Sequence, residues 1–210
     1  LTNIYLIRHA QVEGNLKKTF QGRTDTPLTA LGEEQARQLA ARFAAIPLDA
    51  VYTSPLGRAI KTAEAVAAPH GLTPAQMPGL IEIDGGGLEN MSFEELAGKY
   101  PEEFDIFNRR PHLFEGAAGS ESIRSVYERM AETMKEIANR HPGGNVAVIS
   151  HGCPIRCFSC LAGGGPIERL GEVEWSRNTG VSHVVYEDGS FLLHSSDDLS
   201  HIMSIKEGQL

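Results

Sequence analysis

The chain has 210 residues, 41% of them apolar and 22% charged, and a formal net charge of -8. That length suits one large α/β domain or at most two small ones. The acidic balance argues against nucleic acid or an anionic membrane as partner, since both are bound through basic surfaces, but it leaves room for a small anionic substrate held by a local arginine cluster.

No apolar run reaches the length of a membrane span, and no basic-then-apolar segment opens the chain. A cytoplasmic protein with no membrane partner is therefore expected.

In chain order, Ile4-Tyr5-Leu6-Ile7 is an apolar run that delivers Arg8 and His9. A buried strand of a parallel sheet reads this way, and ligands bind beyond the carboxyl ends of such strands. A loop from Val12 to Pro27 follows. Thr29 then resembles an N-cap, with Glu33 and Glu34 in the first turn and an apolar stripe of Leu31, Ala36, Leu39, Ala40 and Phe43 ending near Pro47. Ala50 to Thr53 reads as a second strand, and Ser54-Pro55 as N-cap and first helical residue, placing Arg58 about one turn into a helix.

Pro74 to Ile83 reads as a short extended segment that carries Glu82, and Gly85-Gly86-Gly87 then breaks the chain, so a mobile Glu82 loop is expected. From Asp84 to about Ser120 there are only short helical pieces, Phe93 to Tyr100 and Pro101 to Arg109, as in a lid or cap inserted into an α/β core. An amphipathic helix spans Glu121 to Arg140, with Ile123, Val126, Met130, Met134 and Ile137 inward. Asn145 to Ser150 is a second apolar run delivering a histidine, His151, followed by Gly152.

Cys153, Cys157 and Cys160 fall on one helical face just after His151, a spacing that suits buried core thiols better than a zinc site or a disulfide. Strands are expected over Glu172 to Trp175, Val181 to Tyr186 and Phe191 to His194, with Asp188-Gly189 turning between the last two. No repeat or linker divides the chain, so residues 1–210 read as one domain with a cap insertion over roughly 84–120.

Two parallel strands could bring His9 and His151 together. If Arg8, Arg58 and Glu82 join them, two guanidinium forks bind a phosphoryl group and a neutral imidazole attacks phosphorus. A carboxylic acid protonates the leaving alkoxide and later deprotonates water, while a protonated second histidine adds positive charge in the transition state. Nothing in this scheme needs a metal or another cofactor.

At these residues the chain resembles the histidine phosphatase superfamily, in its phosphoglycerate mutase-like branch. Leu6-Ile7-Arg8-His9-Ala10 matches the nucleophile motif, with alanine where glycine is usual, and Asn15 matches an asparagine on the phosphate pocket. Gln21-Gly22-Arg23-Thr24-Asp25-Thr26-Pro27-Leu28-Thr29 matches the segment that follows, and Thr53 to Ala59 the second arginine motif. Glu82 stands where the family has its proton donor; Val148-Ile149-Ser150-His151-Gly152 matches the second histidine, and Ser200-His201 a C-terminal feature.

The resemblance covers essentially the whole chain. It implies a three-layer α/β/α sandwich with a mostly parallel central sheet, and phosphohistidine chemistry at His9. By the same token Gln21, Gly22, Arg23 and Gly152 become candidate phosphate or substrate contacts beside Arg8, Asn15 and Arg58. One departure stands out: Gly85-Gly86-Gly87-Leu88-Glu89-Asn90 occupies the place of an aromatic, a glycine and Trp-Glu-Gly in relatives.

A metal-independent phosphomonoesterase acting on small phosphorylated metabolites is the leading expectation. A bisphosphoglycerate-dependent mutase is the alternative, and an inactive binding module a third. A homodimer is compatible with the resemblance.

Overall fold

The structure, a computed structural model, describes residues 1–202. Its centre is a six-stranded sheet built from β1 (Thr2–Arg8), β2 (Ala50–Thr53), β3 (Ala75–Gln76), β4 (Asn145–Ser150), β5 (Val181–Glu187) and β6 (Ser190–Asp198), in the order β3-β2-β4-β1-β5-β6. The first four strands in that order run parallel, and β5 and β6 add an antiparallel margin.

Seven helices accompany these strands among the described residues: α1 (Glu13–Leu16), α2 (Ala30–Phe43), α3 (Gly57–Ala67), α4 (Phe93–Lys99), α5 (Pro101–Arg109), α6 (Ile123–Arg140) and α7 (Gly152–Ala162). None is long and apolar enough to cross a membrane.

The alternation of side chains along each strand builds two cores. Ile4, Leu6, Val146 and Val148 face α6 and α7, meeting Met130, Met134, Ile137, Ile155 and Phe158. Ile7, Val51, Ala147 and Ile149 face the other way, onto Leu39 and Phe43 of α2 and Ala59, Ala63 and Val66 of α3. Helices thus cover both faces, as the three-layer expectation requires. A third apolar cluster joins Cys153, Cys157 and Cys160 of α7 to Ile83, Leu88, Leu96 and Phe114 of the segment between β3 and α6. The thiols are free and buried, and no group of three or more His, Cys, Asp or Glu is placed to hold a metal ion among the described residues.

Local signals explain most boundaries. The Thr29 hydroxyl accepts from the Gly32 amide and starts α2, while Ser92 with Glu95 forms a capping box on α4. Asp188 and Gly189 both take positive φ, +50° and +82°, and turn β5 into β6.

Three expectations need correction. Helix α3 begins at Gly57 rather than at Pro55, because Ser54 spends its hydroxyl on the Leu56 amide and the His151 ring. Its N-terminal amides are instead taken by the Asp25 carboxylate, which accepts from Gly57 and Arg58. Glu172 to Trp175 is not a strand: Arg156 holds the carbonyls of Gly171 and Val173, at 3.2 and 2.6 Å, and its guanidinium lies 4.7 Å from the Trp175 ring centroid. Finally, the extended segment before Glu82 shrinks to the two residues of β3 followed by a 3-10 turn over Pro78–Leu80.

Candidate active site

Strand register sets the geometry. Arg8 pairs with Ser150 as the last step between β1 and β4, so the next residue on each strand, His9 and His151, emerges at the same carboxyl edge. Their ring centroids lie 5.1 Å apart. His9 Nδ1 is 2.8 Å from the Ala10 carbonyl oxygen. A carbonyl can only accept, so Nδ1 carries the proton and Nε2 keeps its lone pair. Burial, reinforced by the charges of Arg58 and Arg8, holds the His9 imidazole well below the ordinary histidine range. It stands neutral and nucleophilic.

His151 is fully buried, with Nε2 2.6 Å from the Ser54 hydroxyl and Nδ1 without a partner among the described residues. Burial first, then Arg58, His9 and Arg8, also depress its pKa. A phosphoryl dianion in the cleft would act with the opposite sign and favour the imidazolium.

Arg58 is 2% exposed, yet its guanidinium is held on every side but one. Nη1 donates to the Thr24 carbonyl at 2.8 Å and pairs with Asp25 at 3.1 Å; Nη2 donates to the Gly22 carbonyl at 2.8 Å; Nε has no partner among the described residues. Arg8 is held by fewer bonds, Nη1 donating to the Ser176 carbonyl at 2.5 Å and the buried Nε having no partner among the described residues. Arg8 and Arg58 lie within electrostatic reach, Arg58 adding to the effect of burial in lowering the Arg8 pKa, and they repel each other unless an anion is bound between them.

Glu82 lines the same cleft. One carboxylate oxygen accepts from the Ile83 amide at 2.8 Å, and the other faces the Cys153 amide at 3.4 Å, at the start of α7. Burial raises its pKa above the ordinary carboxylate value and outweighs those amides and the two arginines. Its backbone is well anchored. Arg129 donates to the carbonyls of Gly79, Ile81 and Glu82 while paired with both oxygens of Glu121.

The glycine run beyond Glu82 is pinned too. The Glu89 carboxylate accepts from the amides of Arg23, Thr24 and Gly85 and from the Thr24 hydroxyl. These bonds tie the glycine run to the backbone of Arg23 and Thr24.

The remaining candidates divide. Asn15 is brought in: its Oδ1 accepts from the Val12 amide at 3.0 Å and from Asn178, whose Nδ2 also donates to the His9 carbonyl at 2.9 Å. Gln21 and Gly22 lie on the wall of the cleft, and Gly22 has φ +52°, where a Cβ would sit 2.2 Å from Glu89. A Cβ on Gly152 would touch the Trp175 ring at 3.4 Å and approach Arg8 Cζ at 3.7 Å, so glycine leaves the arginine its path. Arg23 turns away, pairing with Asp84 at 2.9 Å and Glu121 at 3.6 Å. Asn178 and Ser176 carry no motif in the sequence, and Ser54, though inside the second arginine motif, reads there as a helix cap and not as a partner of His151. Their contribution is a contact across the fold, which no local pattern announces.

Beyond this polar end the cleft opens into a cavity of about 420 Å³ roofed by the segment between β3 and α6. The arrangement as a whole brings a neutral imidazole, a carboxyl whose pKa burial raises and two guanidinium groups within electrostatic reach of one another, which suits transfer of a phosphoryl group through nitrogen.

Comparison with known proteins agrees with this geometry. The family described as histidine phosphatase superfamily (branch 1) matches residues 4–198. The chain is 37% identical over 160 residues to phosphoserine phosphatase 1 of Hydrogenobacter thermophilus, covering 76% of this chain and 75% of that protein. It is 31% identical over 212 residues to a protein of Cronobacter sakazakii named "probable phosphoglycerate mutase", covering 96% and 95%. Among solved structures, YhfR of Bacillus stearothermophilus superposes with a TM-score of 0.91 at 32% identity, covering 97% of this chain and all of that one.

Proposed function

Because the chain belongs to the histidine phosphatase superfamily, branch 1, we propose that it hydrolyses phosphomonoesters through a phosphohistidine at His9, with Glu82 as the proton donor. The observation that carries this is the His9 hydrogen bond to the Ala10 carbonyl, which commits Nδ1 and leaves a neutral Nε2 within reach of the charges of Arg58 and Arg8.

In the first step the Nε2 lone pair forms a bond to phosphorus and the ester P–O bond breaks. The electron pair leaves on the ester oxygen, which takes the Glu82 proton and departs as the alcohol. The imidazole now carries positive charge, and its Nδ1–H to the Ala10 carbonyl becomes a stronger, charge-assisted bond. In the second step the Glu82 carboxylate accepts a proton from water as the water oxygen bonds to phosphorus. The P–N bond breaks, its electrons return to Nε2, and inorganic phosphate leaves. Arg8, Arg58 and a protonated His151 neutralise the oxygens throughout, with Asn15 and Asn178 supporting the His9 turn.

The names of two relatives set the alternatives, phosphoserine phosphatase and phosphoglycerate mutase. Phosphate release from a panel of phosphomonoesters should be measured beside conversion of 3-phosphoglycerate to 2-phosphoglycerate, with and without bisphosphoglycerate. Hydrolysis faster than isomerisation is expected. Isomerisation as fast as hydrolysis would make the protein a mutase, and neither reaction would make it an inactive binding module.

A further inference from the structure

The cavity next to the phosphate pocket is aromatic. Phe20, Phe93, Tyr100, Phe104, Phe107 and Trp175 are among its walls. Phe107 stands at the centre, its ring centroid 5.6 Å from Phe20, 5.2 Å from Phe114 and 6.1 Å from Trp175, the last nearly parallel at 29°. These rings do not fill a closed core. Trp175 is 40% exposed and Phe93 47% exposed, and α5, which supplies Phe104 and Phe107, has no buried residue. An apolar face of this kind, open to a cavity of about 420 Å³, has the character of a ligand site.

Its charges point the same way. The charged residues on its walls are Arg8 and Glu82, at the phosphate end, with Lys18 and Glu103 beyond. Arg109 and Arg110 sit on the same roof but pair with Asp105, at 3.1 and 3.5 Å, and are not on the cavity wall. Arg23 is committed to Asp84 and Glu121. A three-carbon phosphate bearing a carboxylate would meet one lysine, offset by Glu103, and would leave the rings in water.

We propose that the leaving group this site selects is an apolar one carrying an aromatic ring, stacked against Phe107 and Trp175, and not a carboxylate-bearing three-carbon unit. This rests on the phosphomonoesterase assignment above.

The test must separate ring recognition from leaving-group chemistry. 3-Phenylpropyl phosphate and n-propyl phosphate release alkoxides of nearly equal basicity, so a difference in kcat/KM reports the ring. We expect the phenyl ester to be favoured about tenfold or more, equivalent to ~1.4 kcal/mol. Phe107→Ala and, independently, the half-exposed Trp175→Ala should each cut that ratio to threefold or less. A ratio within threefold in the unaltered protein would overturn the proposal. So would a higher kcat/KM for phosphoserine or 3-phosphoglycerate than for the phenyl ester.

Calorimetric titration of the full chain with 3-phenylpropylphosphonate and n-propylphosphonate reads the same preference without catalysis. A tenfold difference in Kd with no hydrolysis of any ester would retain the ring site and discard the phosphatase assignment. Equal Kd values would discard the ring site.

Discussion

At the scale of single residues, burial shifts the pKa values of His9 and Glu82 in opposite directions. His9 is pushed down and Glu82 is pushed up, both by burial first. Each shift favours the neutral form, which is the form a nucleophilic base and a general acid need. The arginines reinforce the shift at His9 and oppose it at Glu82. Glu82→Gln should lose about 100-fold or more on an alkyl phosphate, whose alkoxide needs the proton, and far less on p-nitrophenyl phosphate. Pre-steady-state rates of the first step on both esters check this. Equal losses would mean that Glu82 only orients the loop. Glu89, just beyond the glycine run, already accepts four hydrogen bonds.

Stability carries the same signature. The folded Glu82 pKa lies above the ordinary value, so the stability its protonated form contributes is fully present below the unfolded pKa. That contribution is lost as pH rises through the folded pKa. Glu82→Gln stays neutral and should therefore melt above the parent at pH 8 and close to it at pH 4. A lower Tm at pH 8 would show the carboxylate to be favourably placed. Arg8, His9, Arg58, His151 and Glu82 were legible as a group because each sits at a strand end or in a motif. Asn178 was not, since a single asparagine that holds the His9 carbonyl from 169 positions away leaves no mark on its neighbours.

At the scale of elements, register and capping decide where charges point. The pairing of Arg8 with Ser150 converts two distant apolar runs into adjacent histidines, and this much could be read from the runs themselves. The start of α3 could not. Ser54-Pro55 has the composition of a helix start, but the hydroxyl serves His151, and Asp25 from a separate loop caps the helix in its place. Asp25 also pairs with the Arg58 side chain.

Asp25→Ala should therefore do two things at once. It should cost about 0.5–2 kcal/mol of stability, in the range of a lost N-cap, and it should weaken vanadate inhibition by freeing Arg58. Chemical denaturation and vanadate titration measure the two effects. A stability loss with unchanged vanadate affinity would confine Asp25 to capping. Arg58→Lys should reduce kcat/KM by roughly tenfold or more, since a point charge does not replace a planar fork and each ~1.4 kcal/mol is tenfold.

At the scale of the molecule, a sheet covered on both faces brings His9 and His151 to one edge, while the segment between β3 and α6 roofs the adjoining cavity. The central strands and the long helices followed from continuous apolar runs and 3.6-residue apolar stripes. The roof was legible only as an interruption, because its short helices leave most of their side chains half-buried or exposed around a cavity rather than buried along a regular stripe. The supposed strand at Glu172 to Trp175 failed for a related reason: Arg156 claims that backbone and the Trp175 ring.

The cysteines of α7 face the roof as core thiols. Prolonged incubation with EDTA should accordingly leave activity unchanged; a loss that zinc restores would reinstate a metal at Cys153, Cys157 and Cys160.

The central claim is that His9 Nε2 carries the phosphoryl group between the two half-reactions. It is tested most directly by rapid quenching with substrate labelled in the phosphoryl group, followed by peptide mapping of the trapped protein. The account predicts a base-stable, acid-labile phosphohistidine at His9 that forms before alcohol-free phosphate accumulates, and a His9→Ala variant with neither label nor turnover. A label on another residue, or a His9→Ala variant that keeps most of its activity, would contradict it.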